Sequence, residues 1–199
     1  MVTEAAIWAA LEDVKDPEIP PVSIVDMGMV SRVIVEGPMH EPCGAEEGPA
    51  DSQGRSSTVR VEITPTFVGC PALEIIRRSV ERRLLAVGGV ARATVGFVYD
   101  PPWSSDRITP QGRDRLRSFG IAPPPGGASR LCGVPGQCAS AADVPAAAGL
   151  PLISLGEAPP CPYCGSADTH MENLFGPTAC RAIFYCDACR QPFEGMKRI

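Results

Sequence analysis

Four cysteines near the carboxy-terminal end constrain the fold of this chain of 199 residues more than any other feature. They form two C-x2-C pairs, Cys161 with Cys164 and Cys186 with Cys189. A C-x2-C turn holds both sulfurs on one side of a tight loop, so two such turns can complete a tetrahedron of thiolates. The spacing predicts a four-cysteine ribbon that holds zinc. Iron or a bound iron-sulfur cluster stays open as an alternative, because tetrahedral sulfur suits both metals.

This carboxy-terminal segment, residues 161–199, has few large apolar side chains to bury: Leu174, Ile183, Phe184 and Phe193. So small a core cannot stabilise a fold alone, and we expect metal binding to supply most of its folding free energy. Cys180 is a fifth thiol in the segment. A cysteine packed in a strand is its favoured interpretation, and a role as an alternative metal ligand is the second.

The region before the ribbon alternates between helical and strand patterns, which predicts an α+β fold with the order α-β-β-α-β-α. Thr3 and Thr109 are the expected N-caps of its first and last helices. Val59, Val61 and Ile63 alternate along the second strand. The predicted helices and strands cover residues 3–14, 30–35, 58–64, 71–85, 90–98 and 109–117. We therefore expect a small sheet-and-helix domain over residues 1–121, followed by the ribbon module at 161–199.

Two segments have the composition of connections rather than of folded elements. The segment from about residue 36 to residue 57 is rich in Gly, Pro and acidic residues, and we interpret it as a mobile hairpin insertion. Residues 122–160 are rich in Pro, Gly and Ala and are interpreted as a linker. Cys43, Cys132 and Cys138 lie in these segments. We interpret them as exposed thiols, with a smaller chance that Cys132 and Cys138 form an auxiliary redox or metal pair.

Composition limits which binding partners and which cellular compartment we expect for this protein. The net charge is -5, and residues 161–199 contain four acids and four bases, so no basic surface for nucleic acid is expected. No apolar run reaches the ~20 residues that cross a bilayer, and the acidic start does not resemble a targeting signal. We therefore expect a cytoplasmic protein without a membrane anchor. Nine cysteines in a reducing compartment favour metal ligands or reactive thiols over disulfides.

Cys70 is the cysteine outside the ribbon with the most informative surroundings. It lies in T64-P-T-F-V-G-C-P71, between a strand pattern and a helical pattern. A thiol in the first turn of a helix faces free backbone N–H groups that favour the thiolate, which makes a ligand or a nucleophile. A buried, unreactive cysteine is an equally good interpretation of composition alone. Glu18 and Asp26 are expected to approach Cys70 as oxygen ligands, although each acid alone is more often a turn or cap residue.

The motifs taken together resemble known families. D16-P-E-I-P-P-V-S-I-V-D-M-G-M-V30, T64-P-T-F-V-G-C-P71 and D100-P-P-W103 resemble the iron-sulfur assembly domain of the SufT type. The later segments TPQGRDRLRSFGIAPP and CPYCGS...FGPTACRAIFYCDACRQPFEGMKRI resemble the PaaD family, accessory subunits of phenylacetyl-CoA epoxidase complexes. With them the resemblance spans almost the whole chain.

The resemblance implies an accessory role rather than catalysis. Cys70 would hold iron or a transient iron-sulfur cluster and pass it to the di-iron oxygenase subunit or to the reductase, which carries flavin and a [2Fe-2S] centre. A homodimer could bring two copies of Cys70 together. A structural or regulatory subunit of the epoxidase is the alternative. A thiol-dependent enzyme is the third possibility, and it lacks a general base because neither histidine falls in a motif.

Overall fold

The computed structural model describes residues 2–37, 57–124 and 158–199. The predicted insertion and linker, with Cys43, Cys132 and Cys138, lie largely outside the described residues. Three helices and seven strands occur in the described part: Glu4–Glu12 (α1), Val30–Glu36 (β1), Ser57–Ile63 (β2), Leu73–Leu85 (α2), Val90–Phe97 (β3), Pro110–Ser118 (α3), Ile121–Ala122 (β4), Thr169–Asn173 (β5), Arg181–Cys186 (β6) and Gln191–Met196 (β7). The α+β fold class and the order of the first six elements are confirmed.

The first helix begins where its N-cap predicts and ends at Glu12, two residues before the end of the predicted range of 3–14. The Oγ1 atom of Thr3 accepts a hydrogen bond from the backbone N–H of Ala6 at 3.3 Å, which satisfies one of the free donors of the first turn. Ile7 and Leu11 lie one turn apart and are fully buried. The apolar face of α1 therefore covers one part of the core.

The first sheet has the order β1-β2-β3, in which β1 and β2 are antiparallel and β2 and β3 are parallel. Val59, Val61 and Ile63 of the central strand are fully buried, as their alternation predicts. Helix α2 connects the two parallel strands, and its residues Ile76 and Val80 pack into the same core. Because β2 ends at Ile63 and α2 begins at Leu73, the loop that carries Cys70 lies at one end of the central strand.

The basic face of α2 is largely neutralised within the chain. Arg77 and Arg78 both donate to Glu74, and Arg77 also donates to Glu81 at 2.9 Å. Arg83 pairs with Asp13 at the end of α1. These exposed pairs stabilise the helix only slightly, and they leave little reason to regard this face as a surface for an acidic partner.

The second sheet has the order β4-β7-β6-β5 and joins two distant parts of the sequence. Strands β5, β6 and β7 form an antiparallel ribbon, and the short strand β4 adds to β7 in parallel. Strand β4 covers residues 121 and 122, so it crosses the predicted boundary between the first domain and the linker. The division into 1–121, 122–160 and 161–199 itself stays a prediction.

Two hydrophobic cores meet where the ribbon packs against the first sheet and its helices. The smaller core contains Phe184 and Phe193, whose rings stack with centroids 5.6 Å apart, next to Cys161 and Cys186. The main core lies between the first sheet and its helices, and it also includes Met196 of β7. The backbone N–H of Ser105 donates to the carbonyl of Ile199 at 3.1 Å. The carboxy-terminal strand therefore belongs to both cores.

Candidate metal sites

The four ribbon thiols converge on one point. The Sγ atoms of Cys161, Cys164, Cys186 and Cys189 all lie within 4.8 Å of one another. Cys161 and Cys189 have sulfurs 3.7 Å apart, and Cys164 and Cys186 have sulfurs 3.6 Å apart. Zinc–sulfur bonds of ~2.3 Å in a tetrahedron give sulfur separations of ~3.8 Å. The arrangement fits one metal ion held by four thiolates, and the identity of that metal stays a prediction.

Turn geometry explains how each C-x2-C pair is held. The backbone N–H of Gly165 donates to the carbonyl of Cys161, and the N–H of Arg190 donates to the carbonyl of Cys186, both at 2.9 Å. Gly165 and Arg190 have φ values of 75° and 60°, the left-handed conformation that closes such a turn. The backbone N–H of Cys189 lowers the pKa of the Cys186 thiol, whereas burial raises that of Cys189. The hydrogen bond from this N–H favours the thiolate form of Cys186, which is the form that binds a metal.

Cys180 does not join the four ribbon thiols. It immediately precedes β6, where its Sγ lies 3.2 Å from the Oγ1 of Thr178, and it packs against the main core. Burial raises the pKa of its thiol. The thiol therefore belongs to the junction between the ribbon and the first domain. An alternative role in the ribbon metal site finds no support in this placement.

Cys70 lies in the loop between β2 and α2, but not in the first turn of the helix. Helix α2 begins at Leu73 with Ala72 as its cap, so Pro71 is outside it. The thiol is half-buried, and this burial raises its pKa more than the backbone N–H of Ala72 lowers it; Glu18, Asp16 and Cys180 raise it further. The expectation of a thiolate favoured by the helix is thus wrong. The free thiol is the stable form, and a bound cation would be needed to favour the thiolate.

The carboxylates of Glu18 and Asp16 both raise the pKa of the Cys70 thiol, and the predicted role of Glu18 as an oxygen ligand stays a prediction. Oδ1 of Asp16 accepts hydrogen bonds from the backbone N–H groups of Glu18 and Ile19 at 2.8 and 3.2 Å, which shape the D16-P-E-I turn. Burial raises the pKa of Asp16 despite these bonds. Glu18 also faces Arg181 of the ribbon, with 3.8 Å between its Oε2 and the Nη2 of the arginine.

Asp26 has its own partners inside the fold. Its Oδ2 accepts from the backbone N–H and the hydroxyl of Ser23, both at 2.8 Å, and from Arg115 of α3. Burial alone would raise the pKa of this carboxyl, but the bonds from Ser23 and Arg115 together lower it. Through these hydrogen bonds, Asp26 holds the loop after Val22 against α3. Its predicted role as a metal ligand stays untested.

Comparisons with known proteins match both parts of the chain. A family model described as an iron-sulfur cluster assembly protein matches residues 4–40 and 51–95, and a model described as the PaaD zinc beta ribbon domain matches residues 152–197. A putative 1,2-phenylacetyl-CoA epoxidase subunit of Escherichia coli K12 is 34% identical over 97% of this chain and 92% of its own length. This chain belongs to the PaaD family.

Two further relatives match about half of this PaaD chain. The Fe-S protein maturation auxiliary factor of Porphyromonas gingivalis W83 is 29% identical over 54% of the chain and 84% of its own length. The Fe-S protein maturation auxiliary factor YitW of Bacillus subtilis 168 is 31% identical over 52% of the chain and 82% of its own length.

Sequence reasoning missed several residues that organise the PaaD sites. Asp16, Arg115, Arg181 and Trp103 all lie within the quoted motifs, but the sequence alone assigns no role to any of them. The indole Nε1 of Trp103 donates to the carbonyl of Met27 at 2.8 Å. The pattern of an aspartate, two prolines and a tryptophan could have indicated that this tryptophan is held by a hydrogen bond to the backbone.

No helix among the described residues has the length and apolar character needed to cross a bilayer.

Proposed function

We propose that this protein is a non-catalytic maturation factor of the phenylacetyl-CoA epoxidase system, which assembles or delivers iron or an iron-sulfur cluster. The observation that carries the proposal is Cys70, a half-buried thiol beside carboxylates in the part of the chain that matches the assembly family. Two relatives that match about half of the chain are named as maturation factors, which supports this role. The name of the longer relative supports the epoxidase system as the recipient.

The two cysteine groups have different tasks in this proposal. Four converging thiols form a closed cage, which retains its metal and stabilises the ribbon, and zinc is the metal that such a site most often holds. Release of a cargo requires fewer sulfur ligands and an open side, since ligand exchange proceeds through attack by an incoming thiolate. Cys70 meets this requirement because part of its side chain remains accessible. The recipients would be the di-iron oxygenase subunit and the [2Fe-2S] reductase, and a homodimer stays a prediction.

The test measures how the recipients are loaded with metal. The oxygenase and reductase would be co-expressed with wild-type protein, with Cys70→Ser, or with Cys138→Ser as a matched control. We expect Cys70→Ser to lower the iron content of the oxygenase or the [2Fe-2S] absorption of the reductase, while the variant keeps its own zinc and its fold. Full loading of both recipients in the presence of Cys70→Ser would reject the delivery role.

A structural or regulatory subunit of the epoxidase is the second candidate. The observation that favours it is the name of the relative that aligns with almost the whole chain, a subunit of the enzyme rather than a transient factor. This role predicts stable co-purification with the oxygenase and unchanged epoxidase activity for Cys70→Ser. The same set of variants therefore distinguishes the two roles, because only delivery requires the thiol.

A further inference from the structure

A cavity lies on one face of the second sheet, where the end of α3, strand β4 and the ribbon meet. Its volume is about 320 Å³, which lies near the lower end of the volumes typical of ligand pockets. A row of cross-strand neighbours forms its base, in which Glu194 of β7 lies between Ile121 of β4 and Ile183 of β6. The cavity therefore presents one carboxylate between two aliphatic side chains.

Two exposed aromatic rings line the opening of this cavity. Phe119 follows α3 directly, and Tyr163 lies in the first C-x2-C turn of the ribbon. A Cβ atom at Gly120 would lie 3.2 Å from the Oη atom of Tyr163, so the tyrosine packs against the backbone that leaves α3. The first domain thus holds Tyr163 in place at the opening, while more than half of its side chain stays accessible to solvent.

The charges at the cavity favour a cationic ligand. Arg181 lines the cavity, but its side chain is only 9% exposed, and its Nη1 donates to Glu194 at 2.6 Å. The Nη2 of the same arginine lies 3.8 Å from Glu18. One guanidinium therefore faces two carboxylates, which leaves an excess of negative charge. Glu194 is 33% exposed and is the carboxylate that a ligand in the cavity can reach.

We propose that this cavity binds an arginine side chain of a partner protein. The guanidinium would lie against the rings of Phe119 and Tyr163 and face the carboxylate of Glu194, because a guanidinium stacks on aromatic rings and pairs with carboxylates. Its methylene groups would pack on Ile183 and Pro192, which also line the cavity. The net charge of -5 adds a general attraction for a cationic partner.

A side chain of a protein suits the cavity better than a free small molecule does. The cavity is open at the exposed aromatic rings, and such rings are typical anchors of protein interfaces, where arginine is also enriched. The inference goes beyond the delivery and subunit roles proposed above, and it does not depend on Cys70.

The test is a titration of the full chain, loaded with one equivalent of zinc and labelled with ¹³C in the δ1 methyl groups of isoleucine. Nα-acetylarginine amide is the probe, and NMR spectroscopy records the methyl resonances. We expect those of Ile121 and Ile183 to shift with saturable binding in the millimolar range, while that of Ile7, buried under α1, stays in place. Nα-acetylcitrulline amide, an uncharged analogue of the same shape, should bind at least ~5-fold more weakly.

Two variants assign the binding to this cavity. We expect Glu194→Gln and Tyr163→Ala each to weaken binding of the arginine probe at least ~3-fold. Tyr163→Ala leaves the pair of Glu194 with Arg181 intact, so it remains informative if Glu194→Gln disturbs the junction. Tyr99→Ala is the matched control, because Tyr99 is also an exposed tyrosine and lies in the first domain outside the cavity.

The other outcomes would overturn the inference. Equal binding of the citrulline analogue would show that the cavity does not recognise the charge. An acetylated and amidated Gly-Gly-Arg-Gly-Gly peptide should bind at least as tightly as the amide, and failure of the peptide alone would exclude an arginine within a protein chain. Shifts of Ile121 and Ile183 on dilution without a probe would identify a second copy of this chain as the occupant. No such result bears on the loading experiment with Cys70→Ser, so the proposed function is tested separately.

Discussion

At the scale of single residues, Asp26 is a buried carboxylate whose hydrogen bonds connect the loop after Val22 to α3. It accepts from the backbone N–H and the hydroxyl of Ser23 and from Arg115. Replacing Asp26 by asparagine removes the charge that these donors face, and we expect a loss of about 1–3 kcal/mol in the free energy of unfolding, measured by urea denaturation near neutral pH. Asp114→Asn is the matched control, because its carboxylate is exposed and pairs with Arg117 of the same helix at 2.9 Å. An equal loss for both variants would contradict this role for Asp26.

The same residue predicts how stability depends on pH. Burial works against ionisation of Asp26, but the bonds from Ser23 and Arg115 lower its pKa below the unfolded value of ~3.9. A lowered folded-state pKa gives stability that is fully present above the unfolded pKa and is lost as the pH falls through the folded pKa. The stability difference between wild type and Asp26→Asn should therefore stay constant between about pH 5 and pH 7 and shrink below about pH 4. A difference that grows on acidification would show that the folded pKa is raised.

The candidate sites could be predicted from the sequence only in part. The spacing of the two C-x2-C pairs predicts four convergent thiols, because the geometry of each turn is local. The approach of Arg181 to Glu18 could not be predicted, since it depends on packing between segments more than 100 positions apart in the sequence. A position in the first turn of a helix would lower the pKa of the Cys70 thiol, but burial raises it instead. The degree of burial cannot be read from the sequence.

At the scale of secondary structure, α3 contains a glycine at a position where the neighbouring backbone leaves no room for a side chain. Gly112 is the third residue of α3, and alanine in a helix normally stabilises by up to about 1 kcal/mol relative to glycine. A Cβ atom at this position would lie 2.5 Å from the backbone carbonyl oxygen of Asp26, which cannot move aside easily. We therefore expect Gly112→Ala to destabilise the protein despite its better helix propensity, by about 1–3 kcal/mol, as overpacking does. Thermal unfolding followed by circular dichroism would measure the change.

Gln111→Ala provides the control for this helix. The residue precedes Gly112 and is exposed, so the substitution tests helix propensity without the close approach to Asp26. A small stabilisation or no change is expected. If Gly112→Ala stabilises as much as Gln111→Ala, then α3 does not pack as closely on the loop that carries Asp26 as the structure indicates.

Most helices and strands could be predicted because their signals are local. Thr3 and Thr109 cap helices as expected, and the alternation of Val59, Val61 and Ile63 identifies a buried strand. Strand β4 could not be predicted, since two residues carry no periodicity and Ile121–Ala122 form a strand only because β7 lies alongside them. The start of α2 was predicted two residues early, because Pro71 suits a first helical position but takes part in the preceding turn.

At the scale of the whole molecule, the ribbon packs against the first domain, which contains Cys70. Strand β7 contributes Met196 to the main core, β4 pairs with β7, and Arg181 faces Glu18 across the junction. The ribbon has only a small core of its own, so we expect it to unfold when its metal is removed. We therefore expect occupancy of the four thiols to stabilise the surroundings of Cys70 as well as the ribbon.

Removal of the ribbon metal should consequently change the reactivity of Cys70. Both burial and Cys180 raise the pKa of the Cys70 thiol. Loss of the ribbon fold would remove Cys180 and part of this burial, so we expect the thiolate fraction and the alkylation rate of Cys70 to rise severalfold. The measurement is maleimide labelling of residue 70, followed by peptide mass spectrometry, on metal-loaded protein, on chelated protein and on Cys161→Ser, with glutathione as the reference thiol. Metal-loaded Ala179→Ser should label at the wild-type rate. If chelation unfolds the ribbon and leaves the rate at residue 70 unchanged, the two modules are independent, and the ribbon metal does not influence the surroundings of Cys70.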